Sequence, residues 1–109
     1  MALVDGVGLW CEIGGRSFAG RAAIFLDRDG VIVEEVNYLG RAQDLKMLPG
    51  AAMAIGRCNR LGIPVVVVTN QSGIGRGYYD WSGFRAVQAA LSAALAKEDA
   101  HIDAVLACA

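Results

Sequence analysis

Residues 22–30 read AAIFLDRDG, and this stretch decides the fold that we expect. The run 22–26 is apolar throughout, which is typical of a strand buried on both faces of a parallel sheet. It ends abruptly in the polar stretch 27–30, which contains Asp27 and Asp29. The pattern therefore predicts a buried strand that carries two carboxylates at its carboxyl end.

A second strand is predicted at residues 65–68, where four valines follow one another. Consecutive β-branched side chains favour an extended, buried backbone. This strand ends in the polar cluster 69–72, which is followed by the glycine-rich turn 73–77. Residues 31–48 lack a clean period, so we expect a loop or small flap over the end of the first strand.

A helix is predicted over residues 49–61. Pro49 suits the first helical position, where its missing N–H costs nothing, and Gly62 suits the position just after the helix. Spacings of three and four predict a buried helical face. Its members are Met53, Ala54, Cys58 and Leu61, with Ile55 beside them.

A second helix is predicted to begin after Asp80, which suits the N-cap position. Its core stripe repeats at spacings of three and four, and residues 102–107 then give a third strand. The order β-α-β-α-β predicts an α/β fold with a Rossmann-like parallel sheet and right-handed crossovers. The stripe consists of Trp81, Phe84, Val87, Leu91 and Leu95.

A short β-hairpin is predicted before this sheet. Within residues 7–19, apolar and polar side chains alternate on one side of a Gly14-Gly15 pair, which suits a tight turn. We therefore expect residues 1–20 to form an N-terminal hairpin extension and residues 21–109 to form the α/β domain.

Length and composition exclude several classes of protein. The chain has 109 residues, 55% of them hydrophobic, and a net charge of -1. That size suits one small domain, and that charge gives no reason to expect nucleic-acid binding.

No apolar run approaches the roughly 20 residues that a membrane span requires, and the N-terminus lacks the basic start of a signal peptide. Three widely spaced cysteines suggest reduced thiols, so we expect a cytoplasmic protein.

The two carboxylates are the leading candidates for chemistry. In open α/β sheets, ligands bind beyond the carboxyl ends of the strands. Asp27 and Asp29 would repel each other unless a cation lay between them, and Mg²⁺ would relieve that repulsion while favouring phosphate. One carboxylate could then attack phosphorus while the other transfers protons. A solvated turn without function is the alternative.

The polar cluster 69–72 ends the neighbouring strand and could cradle phosphate oxygens through its hydroxyl, amide and backbone donors. Arg76 could hold a second anionic group of a substrate, or it could be a solvated arginine in a polar turn. The glycine spacing in residues 73–77 does not match the dinucleotide-binding fingerprint. His101, the single histidine, is expected at the surface.

Three segments together resemble the haloacid dehalogenase-like (HAD-like) phosphatases. They are AIFLDRDGVI at residues 23–32, the Pro49-Gly50 helix start, and VVVVTNQSGIGRGYY at residues 65–79. More narrowly, they resemble the branch that contains D-glycero-D-manno-heptose 1,7-bisphosphate 7-phosphatases and histidinol-phosphate phosphatases. The resemblance implies a Mg²⁺-dependent phosphoric monoester hydrolase that forms an aspartyl-phosphate. The implied substrate is a small phosphorylated sugar, with histidinol phosphate as the alternative.

The resemblance also implies a role for individual residues. Asp27 resembles the nucleophile and a Mg²⁺ ligand, and Asp29 resembles the general acid/base, with its backbone carbonyl as a second Mg²⁺ ligand. Thr69 resembles the residue that binds the transferring phosphoryl group. The remaining implied substrate contacts are Glu35, Val36, Asn37, Tyr38, Asn70, Gln71, Ser72 and Arg76.

The chain departs from the family's pattern near its end. Cys108 resembles the first ligand of a structural zinc loop, but the further histidine and cysteines do not follow. A lysine and a final aspartate, which the family places later, do not follow either. We therefore expect residues 21–109 to be a partial domain.

Three interpretations of the whole chain remain open. The first is that the chain is part of a heptose-bisphosphate-type phosphatase. The second is that it is a short product acting as an interaction module or an inactive remnant. The third is that it is a related phosphatase with another phosphate ester as substrate. A complete protein is expected to be monomeric. In a shortened one, the strand at residues 22–26 lies at an open sheet edge that could pair with another copy.

Overall fold

The computed structural model describes residues 2–4, 8–15 and 17–109. Within these ranges the chain forms five strands, three α-helices and a 3-10 turn at Ala42–Asp44. The elements in chain order are β1 (Ala2–Val4), β2 (Leu9–Ile13), β3 (Ile24–Leu26), α1 (Ala51–Arg60), β4 (Val65–Asn70), α2 (Ser72–Gly75), α3 (Trp81–Ala96) and β5 (Ala104–Cys108).

The strands form one sheet with the order β1-β2-β5-β4-β3. Strands β3, β4 and β5 run parallel, and they are connected through α1 and then α3. This arrangement confirms the predicted α/β fold and its β-α-β-α-β order. Strand β2 adds to β5 in the antiparallel sense, and β1 adds to β2 in the same sense.

The N-terminal hairpin exists, but its predicted turn is wrong. Strand β2 pairs with β1, which precedes it, so Gly14 and Gly15 do not join the two strands. The backbone N–H of Gly14 instead donates to the carbonyl of Asp103 at 2.8 Å, which extends the contact between β2 and β5. Alternation in a sequence identifies a strand but does not identify its partner. Both edges of β2 are used here.

Helix α1 buries a different face from the one predicted. Met53 and Leu61 are 74% and 65% exposed, whereas Ala52, Ile55 and Gly56 are buried. The small residues allow a close approach, since a Cβ placed on Gly56 would lie 3.7 Å from the Cβ of Ala100. The helix begins at Ala51, after Gly50 with φ of 83°, and ends just before Gly62 with φ of 73°.

Helix α3 supplies most of the apolar core. Asp80 caps it as predicted, because its side chain accepts from the N–H of Gly83 at 2.9 Å. The stripe is confirmed, with its last four members completely buried and Trp81 packed against them at the edge. The core fills the space between the helices and one face of the sheet. The sheet contributes Trp10, Val65, Val67, Val105 and Ala107.

The opposite face of the sheet is open. Phe25, Val68 and Leu106 lie on this face and are 67%, 48% and 36% exposed. The registers Phe25↔Val66 and Val68↔Leu106 place them on one side, away from the buried Val67 and Val105. The apolar run predicted that β3 is buried on both faces, and this prediction is wrong. It forms the edge of the described sheet.

The parallel pairing of β3 with β4 positions the candidate site. Leu26 pairs with Val67, so the residues that follow each strand emerge at the same edge of the sheet. The loop 31–48 returns over this edge and is anchored by the buried Ile32, Val33 and Leu39. In the described ranges, no helix is long and apolar enough to cross a bilayer.

Candidate active site

A cavity of about 410 Å³ opens at the carboxyl ends of β3 and β4. It brings together most of the residues that the sequence nominated, from three separate segments of the chain. The nominated members are Asp27, Asp29, Glu35, Val36, Asn37, Tyr38, Asn70, Gln71 and Ser72, and the cavity is completed by Leu39, Gly73 and Tyr79.

Asp27 is the first residue after β3, and its side chain is exposed to solvent. Its Oδ1 atom accepts a hydrogen bond from the backbone N–H of Arg28 at 2.8 Å. This local bond fixes the orientation of the carboxylate at the cavity wall. An accessible carboxylate held in one orientation can serve as a nucleophile or as a ligand for a hard cation.

Gly30 produces the sharp turn that separates the two carboxylates from the rest of the loop. Its φ is 82°, which a residue with a Cβ adopts only with strain. Its N–H donates to the carbonyl of Val33 at 2.8 Å. The turn sends the chain away from β3 and leaves Asp27 and Asp29 facing the cavity.

Asp29 is paired with the buried guanidinium of Arg28. Arg28 Nε donates to Oδ1 of Asp29 at 3.2 Å, and the terminal Nη2 donates to Oδ2 at 3.3 Å. The Arg28 side chain is completely buried, whereas that of Asp29 is 27% exposed. If β3 continued past Leu26, alternation along the strand would point Arg28 away from Asp27. Arg28 does not line the cavity, but it binds a residue that does.

Gln71 links the two strand ends through a buried side-chain amide. Its Nε2 donates to Thr69 Oγ1 at 2.8 Å and to Asp29 Oδ2 at 3.1 Å. Its Oε1 accepts from Arg28 at 3.1 Å and from the hydroxyl of Tyr79. All four hydrogen-bonding positions of the amide are thus used inside the protein. Thr69 is 3% exposed and lies behind the cavity wall.

Tyr79 is a site residue that sequence reasoning missed. It lines the cavity and donates to Gln71. Burial raises the pKa of its phenol above the ordinary value, while Arg28 lowers it and Asp29 raises it further. Tyr79 therefore stays a neutral donor at physiological pH. The turn after α2 brings it back to the site, and nothing in the sequence pattern revealed that turn's geometry.

A pair of aromatic rings stands at the rim of the cavity. The rings of Tyr38 and Tyr78 lie 4.5 Å apart between centroids, at an interplanar angle of 46°. Tyr38 has φ of 55°, an unusual backbone conformation for a residue with a side chain. The pair joins the loop 31–48, which lines the cavity through Tyr38, to the turn after α2.

Besides Thr69, two nominated residues lie outside the cavity. Arg76 is exposed at the end of α2 and does not line the cavity, so its substrate contact stays a prediction. Cys108 is exposed, with Sγ 3.8 Å from Oδ1 of Asn70. Among the described residues, no group of three His, Cys, Asp or Glu side chains is placed to hold a metal ion, and the zinc site also stays a prediction.

Comparisons with known proteins show which proteins this chain is similar to. A protein from Mesorhizobium japonicum named D-glycero-beta-D-manno-heptose-1,7-bisphosphate 7-phosphatase is 49% identical over 104 residues, 94% of this chain and 48% of its own length. A protein from Thermosynechococcus vestitus named D-glycero-D-manno-heptose-1,7-bisphosphate 7-phosphatase is 43% identical over 81% of this chain and 45% of its own. No protein-family model matches the chain.

Solved structures agree with the sequence relatives. A HAD-like phosphatase structure from Mesorhizobium loti matches with a TM-score of 0.91 and 47% identity, over 97% of this chain and 52% of that one. The chain is a homologue of HAD-like phosphatases. A D,D-heptose 1,7-bisphosphate phosphatase from B. bronchiseptica, complexed with magnesium and phosphate, matches with a TM-score of 0.77 and 34% identity, over 80% of this chain and 49% of that one.

The chain spans about half the length of the curated relatives it matches. Its cavity offers carboxylate oxygens from Asp27 and Asp29 and an amide side chain from Asn70. Oxygen donors of this kind are the ligands that Mg²⁺ prefers. The residues present therefore fit a magnesium ion, whereas the single thiol of Cys108 does not by itself fit structural zinc.

Proposed function

We propose that this protein is a Mg²⁺-dependent phosphatase that removes the 7-phosphate of D-glycero-D-manno-heptose 1,7-bisphosphate. The carrying observation is that Asp27 and Asp29 share one cavity with Asn70 and Ser72, which come from the neighbouring strand end. The names of the relatives and the magnesium and phosphate in a homologous structure support the proposal.

The reaction proceeds through an aspartyl-phosphate on Asp27. A carboxylate oxygen of Asp27 attacks phosphorus, and the bond from phosphorus to the sugar oxygen breaks as Asp29 protonates that oxygen. Water then attacks phosphorus, and Asp29 takes its proton while the Asp27 carboxylate leaves. The products are the sugar and inorganic phosphate. A bound Mg²⁺, held by Asp27 and Asp29, would neutralise phosphate charge.

The rest of the cavity binds the substrate in this proposal. Residues 35–38 line one wall, and Asn70, Gln71 and Ser72 line the other. A volume of about 410 Å³ falls in the range of small-molecule sites, and its polar lining suits a sugar phosphate. Thr69 acts on the phosphoryl group through Gln71, whose side-chain amide it accepts a hydrogen bond from. Arg76 binds a second anionic group of the substrate.

We further propose that residues 21–109 are part of a larger hydrolase domain. The relatives are about twice as long as the matched region, and the resemblance assigns a lysine and a last aspartate to the part that the match leaves uncovered. Cys108 would join a zinc site there. The cysteines Cys11, Cys58 and Cys108 are free thiols, which suits the reducing cytoplasm.

Association with a second copy is the other candidate role. The exposed edge at β3 and the open sheet face beside it favour this role for the chain on its own. A complete phosphatase is proposed to be monomeric, because additional chain would cover this surface.

Phosphate release tests the enzymatic proposal. The 109-residue chain is compared with a chimera that joins it to the part of the Mesorhizobium loti protein outside the match. Each is incubated with heptose 1,7-bisphosphate or with histidinol phosphate, with and without Mg²⁺, and the position of cleavage is read by phosphorus NMR. We expect the chimera to remove the 7-phosphate in a Mg²⁺-dependent reaction and the chain alone to be far slower. Preference for histidinol phosphate would overturn the substrate, and an inactive chimera would favour the interaction module.

A further inference from the structure

Arg28 is a charged residue beside the site, and the proposed reaction gives it no role. Its side chain is completely buried, which is rare for an arginine unless its charge and donors are satisfied. It follows Asp27 directly and precedes Asp29, so it lies between the two carboxylates in the chain while its guanidinium points into the protein.

The guanidinium is held from several directions. Nε and Nη2 donate to the two oxygens of Asp29 at 3.2 and 3.3 Å. Nη2 also donates to Gln71 Oε1 at 3.1 Å, and Nη1 donates to Gln88 Oε1 at 3.1 Å. The carbon at the centre of the group lies 5.4 Å from the centroid of the Phe84 ring. Helix α3 therefore supports the guanidinium through both Gln88 and Phe84.

The buried guanidinium reduces the repulsion between the carboxylates of Asp27 and Asp29. Two carboxylates separated by one residue repel each other, and a bound cation is one solution. Here Arg28 supplies a fixed positive charge against Asp29. Because the guanidinium is planar and binds both carboxylate oxygens, it also fixes the rotation of the carboxylate. Asp29 is thus oriented by the chain itself.

We propose that Arg28 is a positioning residue, which holds the Asp29 carboxylate at the cavity wall with support from Gln71 and Gln88. Its consequence for catalysis rests on the proposed function, in which Asp29 transfers protons and binds Mg²⁺. Its consequence for the orientation of Asp29 does not, and can be measured without substrate or metal. A purely structural role would tie α3 to the loop after β3 without affecting the carboxylate.

The substitution Arg28→Lys separates these two roles. Lysine keeps the positive charge, but its compact ammonium cannot bind both Asp29 oxygens and both glutamine amides in one plane. Arg85→Lys is the matched control, because the Arg85 guanidinium lies over the ring of Trp10 at 5.2 Å and does not line the cavity. Gln88→Leu is a milder variant, which removes only the hydrogen bond from Gln88, and it is used if Arg28→Lys does not fold.

The primary measurement is NMR of the metal-free chain labelled with ¹³C and ¹⁵N. We expect a slowly exchanging Nε–H signal for Arg28 and one sharp side-chain carboxyl signal for Asp29. In Arg28→Lys or Gln88→Leu the Asp29 signal should shift or broaden while the backbone spectrum of the core is retained, and Arg85→Lys should match the wild type. An unchanged Asp29 signal in folded Arg28→Lys overturns the proposal. If Arg28→Lys does not fold, an unchanged Asp29 signal in Gln88→Leu overturns it.

A second measurement is a Mg²⁺ titration of the same samples by calorimetry. Partners that orient a metal ligand typically contribute about 10- to 100-fold in affinity, so we expect Mg²⁺ to bind about tenfold more weakly to Arg28→Lys. Equal affinity in wild type and Arg28→Lys would also overturn the positioning role. If the wild-type chain binds no Mg²⁺, the titration is repeated on the chimera described above. A chimera that binds no Mg²⁺ would count against the proposed function alone, because the NMR comparison still decides the role of Arg28.

Discussion

The hydroxyl of Tyr79 donates a hydrogen bond to Oε1 of Gln71, a residue eight positions earlier in the chain. The amide of Gln71 in turn donates to Oδ2 of Asp29 at 3.1 Å. The Tyr79 hydroxyl, in the turn after α2, is thus connected through Gln71 to the Asp29 carboxylate, which follows β3. The candidate site depends on this contact between parts of the chain that are distant from β3, as well as on Asp27 and Asp29 themselves.

Replacing Tyr79 with phenylalanine should weaken the fold moderately. The variant loses one buried hydrogen bond, whose net contribution is about 1 kcal/mol. We expect the free energy of unfolding in urea to fall by about that amount. Tyr78→Phe is the control, because its side chain is 62% exposed and the ring contact with Tyr38 is kept. Equal losses in both variants would show that the Tyr79 hydrogen bond contributes nothing specific.

The same pair of variants gives a prediction for alkaline pH. The pKa of Tyr79 is raised in the folded protein, mainly by burial, so the folded state holds the phenolic proton more tightly than the unfolded state. The associated stability is complete below the unfolded value of about 10 and is lost as the pH rises through the folded value. Urea unfolding between neutral and alkaline pH should show this loss in wild type and Tyr78→Phe. The Tyr79→Phe curve should be flatter, and parallel curves for all three proteins would contradict the assignment.

Gly40 leaves the space into which the Tyr79 ring packs. A Cβ placed on Gly40 would lie 2.6 Å from Cγ and 2.7 Å from Cβ of Tyr79. These are the inner atoms of the side chain, so the ring cannot avoid the clash by rotating. Gly40→Ala should therefore destabilise the protein by about 1–3 kcal/mol, the usual cost of overpacking. Gly15→Ala, which meets nothing within 4 Å, should change the melting temperature little by comparison.

Local signals explain how much of the fold the sequence predicted. The four valines at residues 65–68 form the centre of β4, and Asp80 caps α3, because both patterns act on nearby backbone. The partner of β2 and the buried face of α1 are set by distant contacts instead. Met53 matched a helical period as well as Ala52 did, but it is 74% exposed, and the helix turns Gly56 toward Ala100 instead.

The candidate site shows the same division. Asp27, Asp29 and the cluster 69–72 were expected together because parallel strands end at one edge of a sheet, and most of them share the cavity. The position of Arg28 could not be predicted in this way, because the alternation of a strand stops with β3 at Leu26. Beyond that residue the chain turns, so the alternation rule no longer tells where a side chain goes.

The cap on α3 gives a direct test of the local signal. Asp80→Ala removes the acceptor of the Gly83 N–H, which lies at 2.9 Å. Loss of an N-cap side chain typically costs about 1 kcal/mol. We expect that decrease in the free energy of unfolding. Glu98→Ala, an exposed acid beyond the end of α3, should change it by less than about 0.5 kcal/mol. A cap variant as stable as the control would contradict this account of where α3 begins.

Asp27→Asn tests the nucleophile. The amide keeps the size of the carboxylate and can still accept from the N–H of Arg28, so the fold should be retained. Phosphate release by the active chimera should fall by about 10³-fold or more, as when a covalent nucleophile is removed. Asp44→Asn, in the exposed pair with Arg41, is the control and should stay active. Substantial Mg²⁺-dependent turnover by Asp27→Asn would identify another group as the nucleophile.

Phe25 tests whether the open sheet surface joins two copies of the chain. It is 67% exposed on β3, at an edge where backbone groups can pair with another strand. Burying a phenylalanine contributes about 1.5–3 kcal/mol, so Phe25→Thr should raise the dissociation constant of self-association about tenfold or more. Threonine retains the preference for a strand. Met53→Gln removes a 74% exposed side chain from α1 and should leave association unchanged. Sedimentation velocity across a concentration series gives the constants. A wild-type chain that stays monomeric, or equal weakening by Met53→Gln, would show that the β3 edge does not mediate association.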